Sequence, residues 1–315
     1  MRTVLAQGAI GQLVKNLQTA LTAAGCDTQG TDGWFGKATF DAVRAFQQSK
    51  SLDSSGVIDA GTWQLLMNAP IPSVPDRCLQ LTATFEGHGF GLAVGNFDDA
   101  LLTWGIIGFT MASGEVPGII LAVNASAPDR LQQSFGDSTA ELLRIMQAPK
   151  PEQTAWANDR TGSNGSLVDP WRTMFANFGE CPEVQAEQMK RVRADYMNPA
   201  LNTAKRLGMS SELALALCFD VHVQNGGIKT ASMKSISQQA LAGASEADIR
   251  VSIANAVADS ANAKWREDVR QRKLTIAKGS GVVHGHSYVL ENWGLSSAFV
   301  AAELSEAASA VNAAD

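Results

Sequence analysis

Three prolines within six residues divide this chain of 315 residues into two unequal parts. Each proline fixes its own φ angle, lacks an amide hydrogen and restricts the residue before it, so the stretch favours an extended backbone over a helix. We therefore predict a stiff linker over residues 69–77, which separates an N-terminal domain over 1–68 from a larger domain over 78–315. The three prolines are Pro70, Pro72 and Pro75.

A weak internal repeat runs through the N-terminal part. Residues 32–36 contain a glycine turn followed by Thr39, and residues 55–59 contain a similar turn followed by Thr62. Apolar residues at helical spacing flank both turns, and Asp59 stands where the cap of the last helix is expected. The pattern predicts a small, pseudo-symmetric module of three helices.

Core positions and turn glycines of this module follow the pattern of a known family. Together they resemble the peptidoglycan-binding domain type 1 family over nearly all of residues 8–67. The resemblance implies that bacterial peptidoglycan is a partner of the chain. The matching residues are Gly11, Val14, Leu17, Gln18, Leu21, Gly25, Asp32, Gly33, Phe35, Gly36, Thr39, Ala42, Val43, Phe46, Gln47, Leu52, Gly56, Thr62, Trp63 and Leu65.

The larger part of the sequence is predicted to be mainly helical. A helix over 78–87 is followed by a glycine-rich loop over 88–98 and by a β-prone run over 102–110. Residues 149–170 are rich in Pro, Gly, Asn and Asp, which predicts a loop. Further helices are expected beyond Pro182. The fold class is therefore mainly α with a small β element.

Two carboxylates flank the glycine-rich loop. Glu86 follows an apolar helix, and Asp98 stands at the far end of the loop beside Asp99. Glycoside hydrolysis uses two carboxyl groups on either side of the scissile bond, one as acid and one as base or nucleophile. The loop would let the chain turn back, so that Glu86 and Asp98 line opposite walls of a cleft.

Three further blocks occur in the order found in a second family. They resemble glycoside hydrolase family 46, the chitosanases with a lysozyme-like fold, and together they span about 79–228. The blocks are Gly105-Ile106-Ile107-Gly108-Phe109 with Asp98 before it, Tyr196-Met197-Asn198-Pro199-Ala200-Leu201 with Ala204, Lys205 and Gly208, and Phe219-Asp220-Val221-His222-Val223-Gln224-Asn225-Gly226.

This second resemblance implies roles for individual residues. Glu86 matches the general acid, Asp98 the general base that activates water, and Thr103 a hydroxyl that helps to hold that water. Asp99 is an alternative to Asp98 and a candidate for substrate binding. The implied outcome is inversion, which needs a gap between the carboxyl groups wide enough for water.

Other side chains are candidates for substrate contact. The resemblance places Asp220 and His222 near the site, with structural support as the alternative role. Trp104, Trp171 and Trp293 could stack on sugars, although buried core tryptophans are at least as common.

No metal or cofactor is expected. The pair His284 and His286 resembles half of a zinc site, but the chain has four histidines and none supplies the partner spacing. The charged residues of one helix are predicted to form a salt-bridged face, with one arginine orienting a catalytic carboxylate as the alternative; they are Arg266, Asp268, Arg270 and Arg272.

Charge and hydropathy restrict the remaining partners. The net charge is −6 and no basic patch is visible, which argues against nucleic acid and anionic membranes. The start of the chain is not apolar enough for a signal peptide, and no apolar run would span a bilayer. We expect a monomer that stays in a host cytoplasm until its release to the periplasm and cell wall.

The sequence thus predicts a peptidoglycan hydrolase, a muramidase-like phage endolysin that cleaves the glycan strand. Three alternatives stay open. The chain could be a chitosanase, a lytic transglycosylase that uses a single glutamate, or a wall-binding protein without catalytic activity.

Overall fold

The computed structural model describes residues 2–87, 89–96 and 99–304. Helices dominate and the strands are short and antiparallel, so the predicted fold class is confirmed. The chain forms two compact units. The first contains the described residues of Met1–Thr84 and Tyr196–Asp315, and the second is Phe85–Asp195.

The N-terminal module has three helices and a two-stranded antiparallel sheet. Asp59 accepts a hydrogen bond from the amide of Thr62 at 2.7 Å, which confirms it as the cap of the third helix. Leu17, Leu21 and Phe35 are fully buried in the module's core. The elements are β1 Thr3–Leu5, α1 Gln12–Ala23, α2 Lys37–Ser49, β2 Ile58–Asp59 and α3 Ala60–Met67.

The internal repeat is confirmed by two matching hydrogen-bond networks. The buried amide of Gln18 accepts a hydrogen bond from the backbone of Gly33 at 2.9 Å, and that of Gln47 accepts one from Gly56 at 2.9 Å. Both glycines lie in the left-handed region, with φ of 79° and 74°, which other residues rarely adopt. Each amide nitrogen also donates to the next threonine, Gln18 to Thr39 at 3.0 Å and Gln47 to Thr62 at 3.3 Å.

The next helix begins inside the predicted linker. Helix α4 spans Val74–Glu86, so the expectation of an extended segment over 69–77 is wrong beyond Ser73. Pro75 lies in the first turn, where its missing amide hydrogen has no helical partner to lose. The hydroxyl of Ser73 donates to Asp76 at 2.7 Å and accepts from the Asp76 amide at 3.3 Å, which caps the helix start.

The second unit contains a three-stranded antiparallel sheet and six helices in its described residues. The β-prone run over 102–110 forms two of the strands, as predicted. Part of the predicted loop over 149–170 is instead helical, because Pro149 and Pro151 stand at the helix start, where proline is tolerated. The elements are β3 Ala93–Val94, β4 Thr103–Trp104, β5 Phe109–Thr110, α5 Glu115–Ser126, α6 Pro128–Phe135, α7 Thr139–Met146, α8 Lys150–Asp159, α9 Trp171–Gly179 and α10 Pro182–Val192.

The C-terminal part returns to the first unit. Its elements are α11 Asn198–Arg206, α12 Glu212–Asn225, α13 Thr230–Leu241, α14 Glu246–Asp259, α15 Arg266–Lys278, β6 Ser280–Val283 and β7 His286–Val289. The central helix, α12, is buried without interruption from Glu212 to Val221 and packs against α11, α14 and α15. The hairpin of β6 and β7 is followed by a 3-10 helix, Leu290–Trp293.

Within the first unit, the N-terminal module packs directly against later residues. The carbonyl of Ile10 accepts hydrogen bonds from the indole of Trp293 at 3.1 Å and from the hydroxyl of Thr84 at 3.2 Å. Arg2 and Arg77 both pair with the fully buried carboxylate of Glu212. The module is thus held by several polar contacts, of which the pair of Arg77 and Glu212 is buried. The predicted domain boundaries stay predictions.

Candidate active site

Glu86 is the last residue of α4 and is half-buried. The helix ends there because Gly87 adopts a left-handed conformation with φ of 67°, as glycine does readily. The preceding turns of α4 are buried, including Leu81 and Ala83. The packing of α4 therefore fixes the backbone position from which the Glu86 carboxyl extends, at the start of the glycine-rich loop.

Asp98, the predicted general base, lies outside the described residues. The described chain on either side of it is held firmly. The amide of Asn96 donates to the Thr161 hydroxyl at 2.8 Å, and the Asn96 side chain accepts from the amide of Leu101 at 3.1 Å. Asp99, the alternative carboxylate, is exposed and has a φ of 63°. Hydrogen bonds thus fix the backbone on both sides of the exposed Asp99.

Thr103 lies on the half-exposed side of the small sheet. It pairs with Val94 on β3 and with Thr110 on β5, and all three are partly exposed. Successive residues of a strand point to opposite faces, so the neighbouring Trp104 row faces the core. Thr103 therefore lies on the side of the sheet that water can reach, and its role in holding the water stays a prediction.

Trp104 is fully buried in an aromatic cluster of the second unit. Its indole nitrogen donates to the carbonyl of Phe175 at 3.2 Å, and its ring stacks on Phe178 with centroids 5.6 Å apart. These contacts belong to the core, and the Trp104 ring has no solvent exposure through which it could stack on a sugar. Its assignment to substrate binding stays a prediction. The remaining members of the cluster are Phe135, Trp156, Trp171 and Phe175.

Asp220 is the centre of a buried ionic cluster in the first unit. The guanidinium of Arg272 approaches its carboxylate at 2.6 Å, the ammonium of Lys273 binds the other oxygen, and the hydroxyl of Thr82 donates at 3.1 Å. Burial alone would raise the pKa of Asp220, but the charges of Arg272 and Lys273 outweigh it and hold the pKa at about 2. These contacts support a structural role for Asp220, and its role in substrate binding stays a prediction.

Arg272 was one of the arginines predicted to lie on a salt-bridged helix face. It is instead buried and binds the carboxylate of Asp220, which is not one of the predicted catalytic carboxylates. Arg270, two residues earlier, does pair on the surface with Asp259 at 2.6 Å. Sequence spacing along α15 does not show which of the two arginines is buried, because the partner of Arg272 lies 52 residues away on α12.

His222 is partly buried on α12, two residues after Asp220. Its Nε2 atom lies 2.9 Å from the hydroxyl of Thr203 on α11. Burial lowers the pKa of His222 below its ordinary value of 6.5. The folded protein therefore favours the neutral imidazole, which joins α11 to α12 by a hydrogen bond.

A pH-dependent stability follows from His222. Its folded-state pKa is lowered, so its contribution is complete above the unfolded-state pKa of about 6.5 and is lost as the pH falls below it. We expect the free energy of unfolding, measured in urea, to fall less between pH 7 and 5 in His222→Gln than in the wild type. The exposed His286 provides the control variant, His286→Gln, which should keep the wild-type slope. An unchanged slope in His222→Gln would contradict the argument.

The described residues contain no group of three or more His, Cys, Asp or Glu side chains that could hold a metal ion. His284, at the start of the β6–β7 turn, instead lies 2.5 Å from Asp268 on α15. In that same part of the chain, no helix combines the length and the hydropathy needed to cross a membrane.

Comparison with known proteins identifies both parts of the chain. A family model described as a putative peptidoglycan-binding domain matches residues 10–66. A second model, glycosyl hydrolase family 46, matches residues 88–275, which includes Thr103, Asp220 and His222 and begins two residues after Glu86.

Solved structures of this second family are similar to part of the chain. A mutant chitosanase from Bacillus subtilis MY002, complexed with 6 GlcN, is 21% identical with a TM-score of 0.46, and the match covers 64% of this chain and 85% of that one. A family 46 chitosanase of Gynuella sunshinyii, in complex with chitotetraose, is 20% identical with a TM-score of 0.45, covering 65% and 84%.

Proposed function

Because this chain belongs to glycosyl hydrolase family 46 and also carries a peptidoglycan-binding domain, we propose that it hydrolyses the glycan strand of bacterial peptidoglycan. One observation carries the proposal. The peptidoglycan-binding domain packs in the same compact unit as the C-terminal part of the hydrolase domain, joined by the bonds of Trp293 and Thr84 to Ile10.

A fixed binding module helps an enzyme that acts on an insoluble polymer. A module that holds the polymer keeps the hydrolase at a high local concentration of glycosidic bonds. A short, packed connection limits the search to strands near the bound one. We therefore assign the choice of polymer to the module and the cleavage to the hydrolase domain.

The proposed chemistry uses Glu86 and Asp98. Glu86 donates its proton to the glycosidic oxygen as the bond to the anomeric carbon breaks. Asp98 removes a proton from a water molecule that attacks the same carbon from the opposite face, and Thr103 hydrogen bonds to that water. The anomeric configuration is inverted, and the products are a new reducing end and a free hydroxyl on the leaving sugar.

Several described residues of the second unit support the proposed chemistry. Glu86 extends from the end of a packed helix, Thr103 lies on the half-exposed face of the sheet, and the amide of Leu101 donates to the Asn96 side chain across the segment that contains Asp99. Well-held supporting residues are what precise placement of catalytic groups requires. If Asp98 is not the base, Asp99 is the proposed substitute.

Chitosan hydrolysis is the second candidate function. It is favoured by membership of family 46, because chitosanases are the enzymes that the family resemblance implies. The net charge of −6 is compatible with a cationic polymer of glucosamine. The peptidoglycan-binding domain would have no role in chitosan hydrolysis. For this reason we rank chitosan hydrolysis second.

A direct comparison of the two polymers tests the proposal. We expect the purified chain to release reducing ends faster from peptidoglycan sacculi than from chitosan at equal mass of polymer and equal pH. A variant that lacks residues 1–68 measures how much the module contributes to this difference in rate. It serves as a control if its hydrolase domain still unfolds in a cooperative transition. Faster release of reducing ends from chitosan by the full chain would contradict the proposal and favour chitosan hydrolysis.

The proposed biological setting is that of an endolysin. In this setting the chain accumulates in the cytoplasm of a phage-infected bacterium and reaches the wall through a separate membrane pore. Lysis of cells only when a pore-forming protein is co-expressed would support this role, and lysis without a pore would contradict it.

A further inference from the structure

Two of the seven tryptophans, all of which the structure describes, are well exposed. Trp34 is 58% exposed and lies in the N-terminal module, and Trp265 is 54% exposed at the start of α15. The ammonium of Lys264 covers the ring of Trp265 at 4.4 Å from its centroid. Among the described residues no ring or cation stacks on Trp34. A large free indole on the surface of a folded module calls for an explanation.

The internal repeat shows that the fold of the module does not need this indole. The position equivalent to Trp34 in the second repeat is Val57, which follows its glycine turn in the same way. The backbone carbonyls of both residues accept a hydrogen bond from the repeat's buried glutamine, at 3.1 Å for Trp34 and 2.8 Å for Val57. A valine therefore satisfies the scaffold at this position, and the tryptophan adds only exposed aromatic surface.

The residue two positions earlier differs between the repeats in the same way. Asp32 accepts hydrogen bonds from the Trp34 amide at 2.9 Å and from Gln18 at 2.8 Å, and its counterpart Ser55 makes the matching contacts with a hydroxyl. The bond from Gln18 and that from the Trp34 amide keep the pKa of Asp32 below its ordinary value. The scaffold accepts a neutral hydroxyl here, so the negative charge is also additional to what folding needs.

The backbone around Trp34 is rigid. The amide of Phe35 donates to the carbonyl of Ala9 at 2.9 Å, and the amide of Gly11 donates to the carbonyl of Gly33 at 2.9 Å. Ile10 and Trp34 face each other as an antiparallel pair, which places their side chains side by side. Because the carbonyl of Ile10 is bound by Trp293 and Thr84, this surface is also fixed to the rest of the first unit.

Together these residues form a surface that we call the Trp34 platform, made of Ile10, Lys15, Asp32 and Trp34. Ile10 is 37% exposed and extends the apolar area beside the indole. The Lys15 side chain lies across Gly33, within about 3 Å of where a side chain there would begin. The platform thus has an apolar centre with an anionic acceptor and a cationic donor at its edge.

We propose that the Trp34 platform binds a sugar ring of the peptidoglycan glycan strand. A pyranose has a face of C–H groups that packs on the electron-rich face of an indole, and its hydroxyl and acetamide groups project outward to the rim. Asp32 accepts from hydroxyls there and Lys15 donates to oxygens. This inference rests on the proposed function and goes beyond it by naming the residues that hold the polymer.

The competing occupant on chemical grounds is the stem peptide of peptidoglycan. A peptide is usually bound through its backbone hydrogen-bonding groups or its terminal charges. The platform offers instead a flat aromatic ring with charged side chains of both signs nearby, and the adjacent backbone amides of Gly11 and Phe35 are already bonded within the module. The observations therefore favour the glycan.

Co-sedimentation of the full chain with insoluble glycan tests the assignment. We expect Trp34→Val to weaken binding to peptidoglycan sacculi, and to glycan strands freed of stem peptide by an amidase, by about tenfold or more, as removal of a central aromatic contact does. Trp34→Tyr should retain most of the affinity. The matched control is Trp265→Val, which removes the other exposed indole and should bind like the wild type.

The variants separate folding, binding and cleavage. Trp34→Val should unfold at the wild-type temperature, because Val57 shows that valine fits the turn. It should also cleave short soluble glycan fragments at the wild-type rate.

Wild-type binding by Trp34→Val, or competition by free stem peptide in place of glycan, would overturn the inference. If the wild type itself fails to bind sacculi, both the inference and the wall-binding function fall. If it binds through Trp34 but cleaves nothing, the inference stands and the proposed hydrolysis fails.

Discussion

Glu86→Gln should lower the rate of glycan cleavage by about a thousandfold while the chain stays folded and bound to the wall. A glutamine has almost the same shape as the glutamic acid but cannot donate a carboxylic proton to the leaving oxygen. Removal of a general acid or base costs about 10²-fold to 10⁴-fold in rate. The measurement is the initial rate of reducing-end release from peptidoglycan.

The end of another helix in the same unit provides a matched control. Glu180 directly follows α9 and is exposed, so Glu180→Gln makes the same chemical change at a comparable place in a helix. It should retain the wild-type rate. The same rate in Glu86→Gln as in this control would remove Glu86 from the proposed mechanism. Loss of wall binding together with activity would indicate a general structural effect.

The second large effect concerns stability. Asp220→Asn should lower the free energy of unfolding by about 3–5 kcal/mol, the usual cost of breaking a buried ion pair by removing one partner. Arg272 is 2% exposed and Lys273 is fully buried, and both lose the negative charge that compensates them. Urea unfolding at pH 7 measures the change.

The surface pair of Asp259 and Arg270 is the control for this variant. These groups also approach to 2.6 Å, but the Asp259 side chain is mostly exposed. Asp259→Asn should therefore change the free energy of unfolding by less than about 1 kcal/mol. If Asp220→Asn also lowered the free energy of unfolding by less than about 1 kcal/mol, the argument would be wrong, because the buried cations would then find other partners at little cost.

The same ion pair gives a pH dependence with a defined sign. The folded-state pKa of Asp220 is held at about 2, below its ordinary value of 3.8. Its contribution to stability is therefore complete above about pH 4 and is lost as the pH falls toward 2. Asp220→Asn should lack this part of the acid-induced loss of stability. An acid unfolding curve of the same shape in both proteins would contradict the assignment.

Local patterns predicted the N-terminal module well. Short-range spacing encodes the glycine turns at Gly33 and Gly56 and the cap at Asp59, and the structure has each of them. The starts of two helices that contain proline, at Val74 and at Lys150, are harder to predict from the sequence. Proline excludes the interior of a helix but fits its first turn, and the sequence alone does not show which case applies.

Tryptophan shows where local patterns stop being informative. Trp104, Trp171 and Trp293 were the sequence candidates for sugar stacking, and all three are buried. Whether an indole is buried depends on packing between distant segments, which residue type and spacing do not contain. Trp34 is exposed, and its motif predicts only a turn. Comparing it with Val57 in the second repeat would have singled it out without a structure.

The candidate active site was predicted in part. Glu86 at a helix end and Thr103 on a short strand follow from local patterns, and the structure has both. The partners of Asp220 could not be predicted, because they lie on α15, 52 and 53 residues further along. Asp98 lies outside the described residues, so the choice between Asp98 and Asp99 as the general base stays a prediction.

The central claim is that this chain hydrolyses the glycan strand of peptidoglycan. The most direct measurement is mass spectrometry of the fragments formed from purified peptidoglycan in water enriched in oxygen-18. We predict fragments with new reducing ends, each carrying one heavy oxygen from water. Fragments with anhydro ends would instead show a lytic transglycosylase, and intact strands would show a wall-binding protein without glycosidase activity on this polymer.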